Sequence, residues 1–296
     1  MSNDTLANAY QYCLRLTKAH YENFPVASIL LGSKRRRATA VIYAFARRAD
    51  DIVDEGNHDA ATRHAQLDVL QEQLTRIANR EPSADLLFVA LADVIHTFQL
   101  PLSLFHDLLT AFRLDIDTKI YASYDALLNY CRYSANPIGR LVLYLHAATT
   151  PENLRLADKI CTALQLINFA QDIDSDYQSR QRIYIPQDEM RACGVTQAHF
   201  SQRTVDTAMQ QLMQLQLARC RGLLTEGMEL VNNTHGRLRW ELRAIVASGL
   251  RILTKLEQRT NLFARPTLQL GDIIRILGAI FFYTQPRRTT GIAPNP

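Results

Sequence analysis

The chain has 296 residues, of which 47% are hydrophobic and 21% charged, and this composition is typical of a soluble globular protein. Its 11 glycines and 10 prolines are too few for the many turns of a β-sandwich or a propeller, and the composition also excludes collagen-like and disordered chains. The net charge of +4 suits an anionic ligand or a membrane surface, but it is too small to indicate nucleic-acid binding.

Helical periodicity of the apolar residues runs through almost the whole chain. We find no strand pattern and no internal repeat, so the sequence predicts one all-α domain over residues 1–285, followed by a loose tail over residues 286–296. The predicted helices cover residues 6–21, 37–55, 61–79, 82–98, 103–113, 124–135, 139–147, 151–176, 205–228 and 239–259.

The cysteines and the chain termini predict a cytoplasmic protein. The five cysteines include no C-x-x-C pair, which argues against a disulfide framework and against a zinc site. The first residues show no secretory signal, which would have a basic leader followed by an apolar region. The apolar run over residues 276–283 is much shorter than the ~18 residues that span a bilayer.

The first candidate functional residues lie on the predicted helix 37–55. Asp50 and Asp54 are four residues apart and therefore share one helix face. Tyr43 and Arg47 extend the same polar stripe toward the start of the helix. A single pattern of this kind is more often a solvated helix face than a binding site.

A second stripe repeats the pattern on the predicted helix 151–176, where Asn168, Asp172 and Asp176 follow Leu164 at four-residue intervals. These are the only two D-x-x-x-D spacings in the chain. Paired carboxylates on helices apolar enough to be buried would repel one another unless cations lie between them. Oxygen ligands without His or Cys favour Mg²⁺, which is commonly held by one or two carboxylates plus substrate phosphate.

Three segments resemble the aspartate-rich signatures of the squalene/phytoene synthase family. They are YAFARRADDIVD at residues 43–54, NFAQDIDSD at residues 168–176 and RIYIP at residues 182–186. The resemblance extends from about residue 9 to residue 270. It implies a single-domain isoprenoid synthase fold, in which helices surround a central cavity that binds Mg²⁺ and diphosphate.

The resemblance also implies roles for individual residues. The implied catalytic residues are Asp50, Asp54, Asp172, Asp176, Tyr43 and Arg47. The implied Mg²⁺ ligands are Asp50, Asp54, Asn168, Asp172 and Asp176. The implied substrate-binding residues are His20, Asn23, Phe24, Tyr130, Ser134, Asn136, Gly139, Leu164, Gln165, Asn168, Arg182 and Tyr184.

Several positions depart from the pattern of family members that join two prenyl diphosphates. Those enzymes generally have a His-Ser-Lys-Ser-Phe-like segment and a Val-Ala-Gly-Thr-Val-Gly segment, where this chain has HYENF at residues 20–24 and SANPIG at residues 134–139. Gln171 stands where an arginine is usual, and a late cavity tyrosine is replaced near Gly249. Two of these changes remove positive charge or hydroxyl donors, so we expect a site that holds one diphosphate instead of two.

The segments NFPVAS at residues 23–28 and SANP at residues 134–137 resemble a bacterial branch of the family. That branch converts presqualene diphosphate to hydroxysqualene in hopanoid and squalene biosynthesis. The implied reaction is loss of diphosphate, rearrangement of the cation among aromatic rings such as Tyr130 and Tyr133, and capture by water without NADPH. We expect Asn136 to orient that water through its amide.

Two alternatives to this activity stay open. The first is a condensing enzyme that makes presqualene diphosphate, squalene or dehydrosqualene. The second is a non-catalytic family member that acts as an assembly or scaffold protein. The oligomeric state is left open by the sequence.

An apolar substrate and product predict a cavity that opens beside an apolar surface, formed by residues 273–283. The basic run at residues 34–37 is either solvated or attracted to anionic lipid. We therefore expect peripheral attachment to the inner face of the cell membrane.

Overall fold

The computed structural model describes residues 3–19 and 32–281, and this part of the chain is built from α-helices. Within these ranges the only β pairing is an isolated parallel bridge between Ile120 and Ile183. The prediction of an all-α fold is therefore confirmed. The fifteen helices of the described ranges are α1 (Asn3–Ala19), α2 (Ser33–Asp54), α3 (Ala60–Ala78), α4 (Leu86–Phe98), α5 (Leu102–Asp117), α6 (Tyr124–Ser134), α7 (Asn136–Leu145), α8 (Pro151–Gln171), α9 (Ile173–Arg180), α10 (Gln187–Cys193), α11 (Gln197–Ser201), α12 (Thr207–Gly227), α13 (Glu229–Asn233), α14 (Gly236–Gln258) and α15 (Leu270–Phe281).

Three of the predicted substrate-binding residues, His20, Asn23 and Phe24, lie outside the described residues. The tail predicted over residues 286–296 lies outside them as well. The predicted apolar surface over residues 273–283 is described only as far as residue 281, the last residue of α15.

The N-terminal helices share one hydrophobic core. The ring of Phe45 on α2 is fully buried and meets the rings of Phe88 and Phe105 edge to face, at centroid distances of 6.2 and 5.4 Å. Such pairs stabilise a core beyond the area that they bury. This core lies on the side of α2 away from the stripe of Asp50 and Asp54, as the sequence pattern predicts.

The C-terminal helices form a second core around α8. Gly227 lets α12 approach α8 closely, because a Cβ atom there would lie 3.2 Å from the carbonyl oxygen of Leu156. α7 connects the two cores, since Leu141 and Leu145 are buried in the first and Leu143 in the second.

α2 and α8 have their C-terminal ends at the same end of the molecule. Near the start of α2, the Arg35 Nε donates a hydrogen bond of 2.8 Å to the carbonyl oxygen of Leu145, shortly before α8 begins. At the far end of α2, Asp54 forms an ion pair with Arg180, the last residue of α9. Because the two helices run in the same direction, the aspartates near their C-terminal ends come close to one another.

The prediction of one continuous helix over residues 151–176 is wrong. The helix breaks at Asp172, whose backbone angles are φ −101° and ψ 15°, so α8 ends before this residue and α9 begins after it. The hydroxyl of Ser175 donates to the carbonyl oxygen of Asp172 at 2.9 Å, and side-chain bonds of this kind compete with helical geometry. The chain therefore changes direction before Asp176.

The basic run at residues 34–37 lies in the first turns of α2, whereas the sequence pattern places it before the helix. The Lys34 ammonium lies 5.2 Å from the ring centroid of Phe98, and the Arg37 guanidinium lies 5.4 Å from that of Tyr10. Aromatic partners thus hold part of this positive charge.

The sequence pattern does not reveal four of the described helices. α10, α11 and α13 have only seven, five and five residues, too few for apolar residues to recur at helical spacing. α15 lacks the polar outer face that marks an amphipathic surface helix, since four of its apolar side chains are exposed. No helix in the described ranges combines the length and the apolar character needed to cross a bilayer.

Candidate active site

The four predicted aspartates lie at one end of the molecule, two from each half of the chain. Burial and the charge of Asp54 raise the pKa of Asp50. The pKa of Asp176 is raised to about 6, mainly by burial and then by the negative charge of Asp172, with a smaller contribution from Asp54. Since Asp54 lies on α2 and Asp176 on α9, carboxylates from both helices influence one another electrostatically.

Arg47 pairs with the carboxylates on its own helix. Its guanidinium contacts Asp50 at 3.1 Å, Asp51 at 2.6 Å and Glu55 at 3.1 Å. Arg47 therefore lies on the aspartate face of α2, as predicted. Asp51, which the helical geometry places beside the main stripe, shares this partner.

Arginines from other segments reach the remaining aspartates. Arg180 contacts Asp54 at 2.6 Å, and Arg182 lies 3.9 Å from the same carboxylate. Arg265, from the loop before α15, contacts Asp172 at 2.5 Å. Arg180 and Arg265 are not predicted from the sequence, because no local pattern links them to the aspartates.

The donor atoms at this end of the molecule fit Mg²⁺ bound together with phosphate. Among the described residues, no three His, Cys, Asp or Glu side chains are arranged to hold a metal ion by themselves. Magnesium is usually held by one or two carboxylates and completes its shell with water and substrate phosphates. Asp50, Asp172 and Asp176 all have raised pKa values owing to burial, which a nearby cation would counteract.

A stack of aromatic rings lies next to the charged groups. The rings of Phe169 and Tyr184 are parallel, 3.7 Å apart with an interplanar angle of 3°. The ring centroids of Tyr130 and Tyr121 lie 6.0 and 5.9 Å from that of Tyr184. Tyr130 and Tyr184 were expected in the site, whereas Phe169 and Tyr121 are additions from the structure.

Asp115 connects this aromatic stack to the charged groups. Its Oδ2 accepts a hydrogen bond of 3.0 Å from the hydroxyl of Tyr130. Arg182 donates from Nη2 to the backbone carbonyl oxygen of Asp115 at 2.7 Å. The pKa of Asp115 is raised to about 6, chiefly by burial. No motif in the sequence marks Asp115 as a site residue.

The loop between α14 and α15 is fastened over the α8–α9 junction. Arg259 donates from Nη2 to the carbonyl oxygen of Ala170 at 2.9 Å, and Gln171 donates from Nε2 to that of Pro266 at 2.5 Å. Burial lowers the pKa of Arg259 to about 10. Gln171, which stands where an arginine is usual, thus holds this loop in place.

Two other aromatic residues predicted for the site are Tyr43 and Tyr133. Tyr43 is half-buried on α2, and burial raises its pKa. Tyr133 has the guanidinium of Arg132 over its ring, 5.5 Å from the centroid, so one face of this ring already has a cation.

The predicted residues of α8 differ in their exposure. Leu164 packs against α14 at Gly249, where a Cβ atom would lie 2.6 Å from the Leu164 Cδ2. Gln165 is half-buried, and Asn168 is exposed at the end that carries the aspartates. Glycine at position 249, near which family members have a cavity tyrosine, therefore leaves room for the side chain of Leu164.

The SANP segment at residues 134–137 has contacts that the sequence did not predict. Asn136 is buried, and its Oδ1 accepts a hydrogen bond of 3.0 Å from the hydroxyl of Thr162 on α8. The Ser134 hydroxyl is buried and has no hydrogen-bond partner among the described residues. Asn136 thus bridges α7 and α8.

Gly139 lies at a tight contact between α7 and α8, because a Cβ atom there would lie 2.4 Å from the Cys161 Sγ. We expect Gly139→Ala to lower the free energy of unfolding by about 1–3 kcal/mol, the usual cost of overpacking. Gly222→Ala is the matched control, since a Cβ atom at this exposed helical position meets nothing within 4 Å. The control should gain roughly 0.5–1 kcal/mol in urea unfolding. Equal effects of the two changes would contradict a packing role for Gly139.

Comparisons with known proteins agree on one group of enzymes. Residues 17–272 match the family model described as squalene/phytoene synthase. The chain is 34% identical over 270 residues to a hydroxysqualene synthase of Rhodopseudomonas palustris, covering 90% of this chain and 91% of the relative. It is 39% identical over 206 residues to a hydroxysqualene synthase of Zymomonas mobilis subsp. mobilis, covering 69% of this chain and 67% of the relative.

Two solved structures are similar to this chain over most of their length. Squalene synthase HpnC from Alicyclobacillus acidocaldarius superposes with a TM-score of 0.81 at 35% identity, covering 87% of this chain and 96% of that chain. A dehydrosqualene synthase in complex with a ligand superposes with a TM-score of 0.84 at 25% identity, covering 94% and 97% of the two chains.

Proposed function

The chain belongs to the squalene/phytoene synthase family, and we propose that it converts presqualene diphosphate into hydroxysqualene and diphosphate. The isoprenoid synthase fold that the resemblance implies is confirmed by the superposition on the two solved relatives. The names of the relatives from Rhodopseudomonas and Zymomonas support the choice of reaction within the family.

One observation carries the proposal. Asp54 of α2 and Asp176 of α9 influence one another electrostatically, and the guanidinium groups of Arg180 and Arg182 lie near both carboxylates. A site with two carboxylate pairs and several arginines can exchange its internal ion pairs for a metal-bound diphosphate. The aromatic stack beside it suits a substrate whose diphosphate is attached to a long apolar chain.

The proposed reaction begins with the loss of diphosphate. Mg²⁺, for which we propose the ligands Asp50, Asp54, Asn168, Asp172 and Asp176, supplies neutralisation of charge on the leaving group when it is bound. Arg47 and Arg182 would bind diphosphate oxygens and hold them in place while the C–O bond breaks.

The carbocation that remains would rearrange beside the aromatic stack. The faces of Tyr130, Phe169 and Tyr184 carry negative potential, and a desolvated cation gains up to ~2 kcal/mol from each such contact. Stacked rings in a fixed arrangement also exclude bulk water, so the cation meets only water that is held in place. Capture by one such molecule gives an alcohol without any hydride donor.

A condensing activity is the second candidate, because the chain superposes well on a dehydrosqualene synthase. The segments HYENF at residues 20–24 and SANPIG at residues 134–139 argue against it, as they lack the groups expected around a second diphosphate. The scaffold alternative is disfavoured because all four aspartates are retained. Product analysis with farnesyl diphosphate and with presqualene diphosphate separates these candidates.

We also propose that α15 attaches the protein to a membrane surface. Four of its apolar side chains are exposed at helical spacing, Leu270 by 77%, Ile273 by 42%, Ile274 by 67% and Leu277 by 45%. A helix with an exposed apolar face of this kind lies in the interface plane with that face in the lipid.

The double variant Ile274→Glu, Leu277→Glu should reduce co-sedimentation with anionic vesicles by at least ~10-fold, because it places two charges on the exposed face that would lie in the lipid. Val69→Glu is the matched control, since Val69 is 56% exposed on α3. High salt should weaken the binding of the unmodified protein if the basic run at residues 34–37 contributes. Equal binding of the double variant and the control would exclude α15 as the attachment site.

A further inference from the structure

Two buried polar atoms near the aromatic stack have no hydrogen-bond partner among the described residues. They are the Oδ1 of Asp115, on α5, and the hydroxyl of Tyr121, in the loop that follows α5. Tyr121 is only 4% exposed. Buried polar atoms almost always bond to protein or to an ordered water molecule, so this pair calls for a small polar guest.

The surrounding contacts fix both groups. The second oxygen of Asp115 accepts the Tyr130 hydroxyl at 3.0 Å, and Arg182 holds the Asp115 backbone at 2.7 Å. The ring of Tyr121 lies 5.3 Å from that of Tyr130 and 5.9 Å from that of Tyr184. Asp115 and Tyr121 therefore both contact Tyr130, the first through its hydroxyl and the second through its ring. Burial, and then the charge of Asp115, raise the pKa of Tyr121.

We propose that Asp115 and Tyr121 hold the water molecule that captures the carbocation, and that Asp115 accepts its proton. This inference rests on the proposed conversion of presqualene diphosphate. Once the C–O bond to diphosphate has broken, the water oxygen forms a bond to the cationic carbon. One O–H bond of the water breaks and its proton passes to the Asp115 Oδ1. The step needs no oxidant or reductant.

The position of Asp115 suits this role better than that of Asn136. The amide oxygen of Asn136, which the sequence suggests for orienting water, already accepts the hydroxyl of Thr162 at 3.0 Å. Asp115 instead has a free acceptor oxygen next to the rings that would hold the cation. Its pKa of about 6 makes the carboxylate a stronger base than an ordinary aspartate while leaving it largely ionised at neutral pH.

The test compares release of diphosphate with the products formed from presqualene diphosphate and Mg²⁺. Asp115→Asn keeps an acceptor for Tyr130 but removes the base, and Tyr121→Phe removes only one hydroxyl. We expect diphosphate release to stay within about 3-fold of the unmodified protein, while the share of hydroxysqualene falls at least ~10-fold in Asp115→Asn and about 3-fold in Tyr121→Phe. Hydrocarbons formed by proton loss from the cation should increase in parallel.

Asp117→Asn is the control, because Asp117 lies on the same helix, is exposed and pairs with His64 at 2.9 Å. It should leave the product distribution unchanged. Asn136→Ala should lower the share of hydroxysqualene less than Asp115→Asn does. Thermal unfolding identifies any variant that fails to fold, in which case Tyr121→Phe decides the question.

An unchanged product distribution in folded Asp115→Asn and Tyr121→Phe would overturn the inference. Equal losses of diphosphate release and of hydroxysqualene in both variants would do the same, because they would show a role in ionisation or structure. If the unmodified protein leaves presqualene diphosphate intact, the proposed function fails first, and the two failures are thus distinguishable.

Discussion

Asp50→Asn and Asp172→Asn are each expected to lower turnover at least ~100-fold, because metal stabilisation of a leaving group contributes several kcal/mol. Asparagine preserves the size of each side chain and one oxygen but removes the charge that attracts Mg²⁺. Chelation of Mg²⁺ should abolish the activity of the unmodified protein. Release of diphosphate at saturating substrate measures both effects.

Asp174→Asn is the matched control for this experiment. Asp174 lies between the two aspartates of the second pattern, but its carboxylate is bound by Arg203 at 2.7 Å. A loss of less than about 5-fold is expected, as for a surface ion pair outside the site. Rates near that of the unmodified protein in both Asp50→Asn and Asp172→Asn would remove these aspartates from catalysis.

The sequence predicts the parts of the site that depend on local spacing. Asp50 and Asp54 share a face because four residues make about one helical turn, and this relation survives any arrangement of the other helices. The signature segments also bring Arg182 and Tyr184 into the site. At Asp172 the four-residue spacing no longer predicts a shared helix face. The helix breaks there between α8 and α9, and Ser175 donates a hydrogen bond to the carbonyl oxygen of Asp172.

The remaining site residues depend on contacts between distant parts of the chain. Arg265 is 93 residues from Asp172, and Arg180 is 126 residues from Asp54. Asp115 is recognised as a site residue only through its contacts with Tyr130 and Arg182 in the folded protein. Periodicity within one helix carries no information about such partners. Gly139 is the opposite case. The resemblance predicts it as a substrate-binding residue, but its tight packing against Cys161 also explains a glycine at this position.

We propose that the site holds one diphosphate and releases it from presqualene diphosphate. The four aspartates with their arginines form a single charged end, and the segments HYENF at residues 20–24 and SANPIG at residues 134–139 lack the groups expected for a second diphosphate. A cation formed without a hydride donor, beside a held water molecule, should end as an alcohol. Its hydroxyl oxygen should then come from labelled water.

The most direct measurement is product identification after incubation of the purified protein with Mg²⁺ and either farnesyl diphosphate or presqualene diphosphate. Presqualene diphosphate should give hydroxysqualene, and addition of NADPH should not divert it to squalene. Farnesyl diphosphate alone should give no condensed product, however long the incubation. Condensation of farnesyl diphosphate by the unmodified protein, or efficient formation of squalene with NADPH, would contradict the assignment.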